Sequence, residues 1–231
     1  MGRLTAIVLG AAAGGGFPQW NCRCPVCRLA WDGDPRVTPR TQAGLAVSSD
    51  GRDWILINAS PDLRAQIEAT AVLHPHNGLR GSPISAVVLT GAEVDQIAGL
   101  LALRERSKFD LYATAETLAA IANNPIFGVL ASDCVQRHPV ALSQRFTLPG
   151  GLAAELFAVP GKVALYLENG EPEIAAQSGV NVGVEIISEA LAVKNRAGAI
   201  TRAAGISTGL RDGSRGAGFR KHQRTGARSV R

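Results

Sequence analysis

The stretch Ile84-Ser-Ala-Val-Val-Leu-Thr90, followed by Gly91-Ala-Glu-Val-Asp-Gln96, carries the strongest indication of the fold. Its first seven residues are too apolar for a half-exposed strand, which would alternate apolar and polar side chains, so we predict a central strand covered on both faces. Gly91 ends this strand, and the helical spacing of apolar residues over 93–106 predicts a helix. A buried strand followed at once by a helix indicates an α/β layered domain.

The regions on either side extend this pattern. An Asp50-Gly51 turn predicts a hairpin, and Ser60 with Pro61 predicts the capped start of a helix. After residue 139, turns separate short apolar segments, which favours antiparallel strands. The further predicted strands are 5–9, 43–48, 54–58, 111–114, 152–159, 163–168 and 179–187, and the further predicted helices are 61–72 and 115–123. Together they indicate an α/β (α+β layered) domain with sheets between helices.

The positive charge of the chain is confined to one end. The whole chain carries a net charge of +5, but residues 1–187 hold 14 Lys and Arg against 17 Asp and Glu, a net charge of −3. Residues 188–231 hold 10 Lys and Arg against 2 Asp and Glu, a net charge of +8. We therefore expect no nucleic-acid partner for the domain. No apolar run approaches the roughly 20 residues that span a bilayer, so we expect no membrane segment.

A cysteine cluster lies in a segment with no periodic apolar face. Within the insertion at 17–40, Cys22, Cys24 and Cys27 form a C-x-C-x-x-C pattern. Three thiolates so close in sequence can converge on one tetrahedral Zn²⁺ ion, and the metal would hold the insertion in shape. The alternatives are free cysteines clustered by chance or a redox pair. The candidates for a fourth ligand are Asp32, Asp34, Cys134 and His138.

Two acidic residues follow the central strand at the edge where layered α/β sheets present functional groups. Glu93 and Asp95 lie at the start of the predicted helix, where the helix dipole alone favours negative charge. The functional alternative makes them metal ligands or a general base. The glycine-rich loop at 10–16 lacks the residues of a phosphate-binding loop, so we interpret it as a tight turn that permits close backbone packing.

Several long motifs resemble those of the pyrroloquinoline quinone (PQQ) biosynthesis protein B family. The resemblance extends over residues 3–187 and is strongest in these segments: 8–16, 18–27, 40–42, 56–66, 88–105 and 159–163. It implies a metallo-β-lactamase-like αββα sandwich. It also implies a structural zinc at Cys22, Cys24 and Cys27.

The resemblance further implies a cytoplasmic role in making PQQ from a peptide-derived precursor that carries Glu and Tyr. One form of that role is a metal-dependent hydroxylation of the tyrosine ring, with Fe²⁺ at the active site. The alternative is a non-catalytic carrier for transport of PQQ or its precursor to the periplasm. The implied partners are PQQ or its precursor and the other PQQ biosynthesis proteins. A second copy of the chain, in a homodimer, is a further candidate partner.

The sequence departs from this family pattern in two places. The His-x-His-x-Asp-His metal motif of the superfamily falls on Gly91, Glu93, Asp95 and Gln96, and only Asp95 matches. Residues 188–231 do not resemble the family, so we expect the domain to end at 187 with its C-terminal units missing. We interpret the basic, disordered tail as the product of a frameshift or truncation, and a genuine basic arm is the alternative.

Overall fold

A computed structural model describes residues 4–161, 163–168 and 179–188. The strands are β1 Thr5–Gly10, β2 Gly44–Ser48, β3 Trp54–Ile57, β4 Ile84–Val88, β5 Phe109–Ala113, β6 Val135–Pro139, β7 Arg145–Leu148, β8 Leu152–Ala158 and β9 Val182–Ser188. The α-helices are α1 Pro25–Trp31, α2 Leu63–Glu68, α3 Val94–Ile97 and α4 Ala115–Ala122. Short 3₁₀ helices cover Ala71–Leu73, Ala98–Leu103, Pro125–Val129, Pro149–Gly151 and Leu165–Leu167. In these ranges, no helix has the length and apolarity needed to cross a membrane.

Two sheets form the frame of the molecule. The larger sheet has the order β1-β2-β3-β4-β5-β6, and the smaller has the order β7-β8-β9. Strands β1 to β3 pair antiparallel, and β3 to β6 pair parallel. The smaller sheet is antiparallel throughout. Because β3 and β4 are parallel, the residues that follow both strands meet at one edge of the sheet.

The two faces of the larger sheet bury different cores. Leu56 and Leu111 pack with residues of the helices, including Leu63 and Ile121, in one cluster. Ile55 belongs to a second cluster that lies between the two sheets and includes residues of β8 and β9. The central strand β4 contributes to both clusters, as its uninterrupted apolar sequence predicts. The predicted layered α/β class is therefore confirmed.

Several predicted elements have different boundaries. The helix expected over 61–72 begins at Leu63 with Asp62 at its N-cap, because the buried Ser60 hydroxyl donates to Gln66 Oε1 at 3.3 Å instead of accepting from the helix backbone. The helix expected over 93–106 is a short α3 followed by a 3₁₀ helix. There Gly99 packs against the loop after β3, and a Cβ at Gly99 would lie 2.1 Å from Ser60 O.

The strand prediction at 163–168 is wrong. Leu165–Leu167 forms a 3₁₀ turn, which the Tyr166 hydroxyl attaches to Ala92 O with a hydrogen bond of 2.9 Å. The expected basic tail at 188–231 lies outside the described residues apart from Ser188, which is the last residue of β9.

Candidate metal centre and strand-end cluster

The cysteine insertion brings three sulfur atoms together. Cys24 is the N-cap of α1, and Pro25 begins the helix with a residue that has no backbone N–H to satisfy. The backbone N–H of Cys27 donates to Cys24 Sγ at 3.5 Å, and that of Cys24 donates to Cys22 Sγ at 3.4 Å. All three Sγ atoms lie within 4.8 Å of one another. Ligands on a tetrahedral zinc with 2.3 Å Zn–S bonds lie about 3.8 Å apart, so the trio fits this ion after a small contraction.

The local hydrogen bonds favour different protonation states within the trio. The backbone N–H of Cys27 lowers the pKa of Cys24, which favours its thiolate. The pKa of Cys27 is raised, because burial and the neighbouring sulfur atoms outweigh the opposing hydrogen bond with the Gln19 backbone. A cation bound between the three sulfur atoms would offset the repulsion between neighbouring thiolates.

None of the four candidates for the fourth ligand joins the trio. In the described ranges, the cluster that can hold a metal contains only three cysteines and no other His, Cys, Asp or Glu. Asp34 bonds the Arg36 guanidinium, and His138 Nε2 lies 2.9 Å from an Asp110 carboxylate oxygen. Cys134 is buried in the helix-side core, and Asp32 ends α1.

A polar cluster lies at the edge where β3 and β4 end. Asn58 adopts φ +62° directly after β3, a conformation that Asn tolerates better than most residues. Its side chain accepts from Thr90 N at 2.8 Å and donates to Thr90 Oγ1 at 2.8 Å. These bonds connect the ends of two parallel strands and position the loop that carries Glu93.

Glu93 and Asp95 both lie at the start of α3, as predicted. Glu93 is the N-cap, and with Gln96 it forms a capping box in which each side chain accepts from the other residue's backbone N–H. Asp95 is half-buried, and burial raises the pKa of its carboxyl. Its Oδ2 lies 3.4 Å from the position that a Cβ would take at Gly14. In the described part of the chain, these two carboxylates have no third His, Cys, Asp or Glu close enough to complete a metal site.

Gly91 stands where the superfamily metal motif has its first histidine, and other groups occupy the space that a side chain would need there. A Cβ at Gly91 would lie 2.4 Å from Gln96 Oε1, 3.1 Å from Val180 O and 3.2 Å from Asn181 Oδ1. Gln96 donates its amide to Thr90 Oγ1 at 3.5 Å as well as capping α3. Residues 91 and 96 therefore pack against each other, and a mononuclear iron does not fit the residues described there. The contribution of Asn181 has no local signal in the sequence, because it comes from a segment 90 residues away.

The glycine loop packs closely, as predicted. A Cβ at Gly10 would lie 2.1 Å from Gln42 O, so a side chain at this position would force the two backbones apart. Thr41 donates its hydroxyl to Leu9 O at 3.0 Å. The loop is therefore fixed against the segment that follows the cysteine insertion.

Residues 53–191 match the β-lactamase superfamily domain. The chain belongs to the β-lactamase superfamily. Among solved structures, the Zn²⁺-bound PqqB from Methylobacterium extorquens is 53% identical to this chain, with a TM-score of 0.78. The match covers 80% of this chain and 62% of the PqqB chain. A diphosphatase of the PhnP family is 23% identical with a TM-score of 0.58 and covers 80% of this chain and 64% of that one, which supports the fold alone. The predicted metallo-β-lactamase-like sandwich is confirmed.

Curated relatives support the more specific resemblance. Coenzyme PQQ synthesis protein B of Methylobacterium nodulans is 56% identical over 183 residues, which cover 79% of this chain and 61% of that protein. The protein of the same name from Gluconacetobacter diazotrophicus is 54% identical over 185 residues, with 77% and 60% coverage. The expected resemblance to the PQQ biosynthesis protein B family is confirmed, and the chain spans about three fifths of the length of these relatives.

Proposed function

We propose that this chain acts in PQQ biosynthesis on a peptide-derived precursor that carries Glu and Tyr. The observation that carries the proposal is the identity of more than half of the aligned residues with proteins named for coenzyme PQQ synthesis. On this proposal the chain works in the cytoplasm with the other PQQ biosynthesis proteins.

The cysteine trio is proposed to hold a structural zinc. Cys22, Cys24 and Cys27 supply soft sulfur ligands at a separation that suits Zn²⁺. The metal would stabilise α1, a helix of seven residues whose only buried side chain is Cys27. A related PqqB structure is Zn²⁺-bound.

Two finer forms of the function differ in their chemistry. Hydroxylation of a tyrosine ring would require a redox metal such as Fe²⁺ beside Glu93 and Asp95, and the described residues around Gly91 do not fit that ion. Noncatalytic binding and transport of PQQ or its precursor requires no such metal. The packing of Gln96 against Gly91 therefore favours the carrier form for the part of the chain that the structure describes.

Complementation tests the proposal and separates its two forms. The full 231-residue chain is expressed in bacteria that lack coenzyme PQQ synthesis protein B, and PQQ is measured. We expect the chain to restore PQQ. If Asp95→Asn restores it equally, the carrier form is supported, whereas loss of PQQ with a folded Asp95→Asn protein supports metal-dependent hydroxylation. Failure of the soluble, folded wild-type chain to restore any PQQ would overturn the proposal.

Self-association is a further part of the proposal. Val8 is 68% exposed on β1. It pairs with Leu45, which is buried between the sheets, so both side chains lie on the same face. In the described residues β1 is an edge strand of the larger sheet. Such an edge can pair with another chain, so we propose a homodimer.

A further inference from the structure

A cavity of about 310 Å³ lies at the base of the cysteine insertion. Its lining includes Phe17, Pro18, Pro39, Arg40, Gln42 and Asp62. Phe17 and Arg40 form the bridge that closes the insertion, with N–H to O distances of 2.9 and 2.7 Å in the two directions. This volume is at the lower end of the range for small-molecule sites, so it suits a ligand of amino-acid size.

The Asp62 carboxylate lines the cavity, and only one of its two oxygens accepts hydrogen bonds from the described residues. Asp62 is at the N-cap of α2, yet its side chain makes no capping hydrogen bond. Instead Oδ2 accepts from Gln42 N at 2.8 Å and from Gln42 Nε2 at 3.3 Å. Both bonds go to one oxygen, so Oδ1 accepts no hydrogen bond from the described residues.

The cavity also has one positive group. The Arg40 backbone is fixed by the bridge to Phe17, while its side chain forms no ion pair with any carboxylate in the described ranges. A guanidinium can bind a carboxylate through two parallel hydrogen bonds. Phe17, Pro18 and Pro39 add an apolar surface beside these two charges.

We propose that this cavity binds the zwitterionic head of a free α-amino acid that has an aromatic side chain. Arg40 binds the α-carboxylate, Asp62 Oδ1 binds the α-ammonium group, and the surface formed by Phe17 and the two prolines contacts the ring. The two opposite charges would fix the ligand in one orientation. This site is distinct from the cysteine trio and does not depend on a role in PQQ biosynthesis.

Calorimetric titration of the full chain tests the site with three probes. L-Tyrosine carries both charges, tyramine lacks the carboxylate, and 3-(4-hydroxyphenyl)propionate lacks the ammonium group. We expect L-tyrosine to bind about ten- to a hundredfold more tightly than either of the others, because each loses a hydrogen-bonded charge pair. Equal affinity for the three probes, or no binding of L-tyrosine at millimolar concentration, would overturn the proposal.

Two substitutions test the proposed roles of Arg40 and Asp62 in binding the ligand, and a third serves as the control. Arg40→Gln should weaken L-tyrosine about tenfold or more and leave tyramine unchanged. Asp62→Asn keeps an oxygen acceptor for Gln42, and it should weaken L-tyrosine and tyramine but leave 3-(4-hydroxyphenyl)propionate unchanged. Arg64→Gln is the matched control, because that exposed arginine pairs with Glu68 outside the cavity, and all three affinities should stay the same. If Arg40→Gln weakens tyramine as much as L-tyrosine, the assignment is wrong. Binding is measured without PQQ production, so its failure is distinguishable from failed complementation.

Discussion

At the scale of single residues, Gly91 decides which side chains fit at the edge where β3 and β4 end. Gly91→Ala places a methyl group 3.1 Å from the Val180 carbonyl and against the Gln96 amide. We expect the free energy of unfolding to fall by about 1–3 kcal/mol. Gly128→Ala is the matched control because a Cβ there meets nothing within 4 Å, and its effect should stay within about 0.5 kcal/mol. Urea denaturation measures both, and equal stability of the two variants would contradict the packing described at residue 91.

Tyr112 makes the stability depend on pH in the alkaline range. Burial and the nearby Asp110 carboxylate raise the pKa of its phenol. The folded state therefore keeps this proton above about pH 10, where the unfolded tyrosine loses it, and stability falls as the pH rises through that window. Tyr112→Phe removes the contribution, so its free energy of unfolding should fall less than that of the wild type between about pH 8 and pH 10.5. If the free energies of unfolding of the two proteins fall by the same amount over this pH range, the raised pKa of Tyr112 is contradicted.

At the scale of elements, the insertion at 17–40 should depend on its metal while the sheets do not. Trp31 Nε1 donates to Cys22 O at 3.1 Å, so loss of zinc should alter the surroundings of this indole. Trp54 is buried in β3 and should not respond. Adding a strong zinc chelator should change the tryptophan emission but leave the far-ultraviolet circular dichroism of the strands in place. Trp31→Phe is the control and should lose the part of the emission change that comes from Trp31, whereas the exposed Trp20 in the same insertion can still respond. Chelation that unfolds the whole chain would contradict this account.

The elements differ in how far the sequence alone could predict them. The apolar run of β4 and the Asp50-Gly51 turn between β2 and β3 have strong local signals, and both predictions are confirmed. The strand β6 was not predicted, because Val135-Gln-Arg-His-Pro139 has no apolar alternation and forms by pairing with β5. The cysteine spacing predicted the grouping of the three sulfurs. The packing of Asn181 at Gly91 and of Gln42 at Asp62 depends on contacts between distant segments, which no local pattern encodes.

At the scale of the whole molecule, the two sheets are unequal. Six strands face three in the described part of the chain, and Val8 remains 68% exposed on the face shared with the inter-sheet core. We expect the wild-type chain to associate with increasing concentration, and Val8→Lys to shift it toward monomer because a charge on an edge strand opposes association. Light scattering coupled to size exclusion measures the mass of both. A wild-type chain that stays monomeric at all concentrations would contradict the homodimer.

Cys22, Cys24 and Cys27 are proposed to hold one zinc ion, and Glu93 and Asp95 are proposed to hold no iron. Elemental analysis of the full chain, purified without oxygen, tests both proposals directly. We predict about one zinc and no iron per chain, loss of the zinc in Cys22→Ser, and full retention in Cys134→Ala, whose thiol lies in the helix-side core. Stoichiometric iron that disappears in Asp95→Asn, or zinc that survives Cys22→Ser unchanged, would contradict the account.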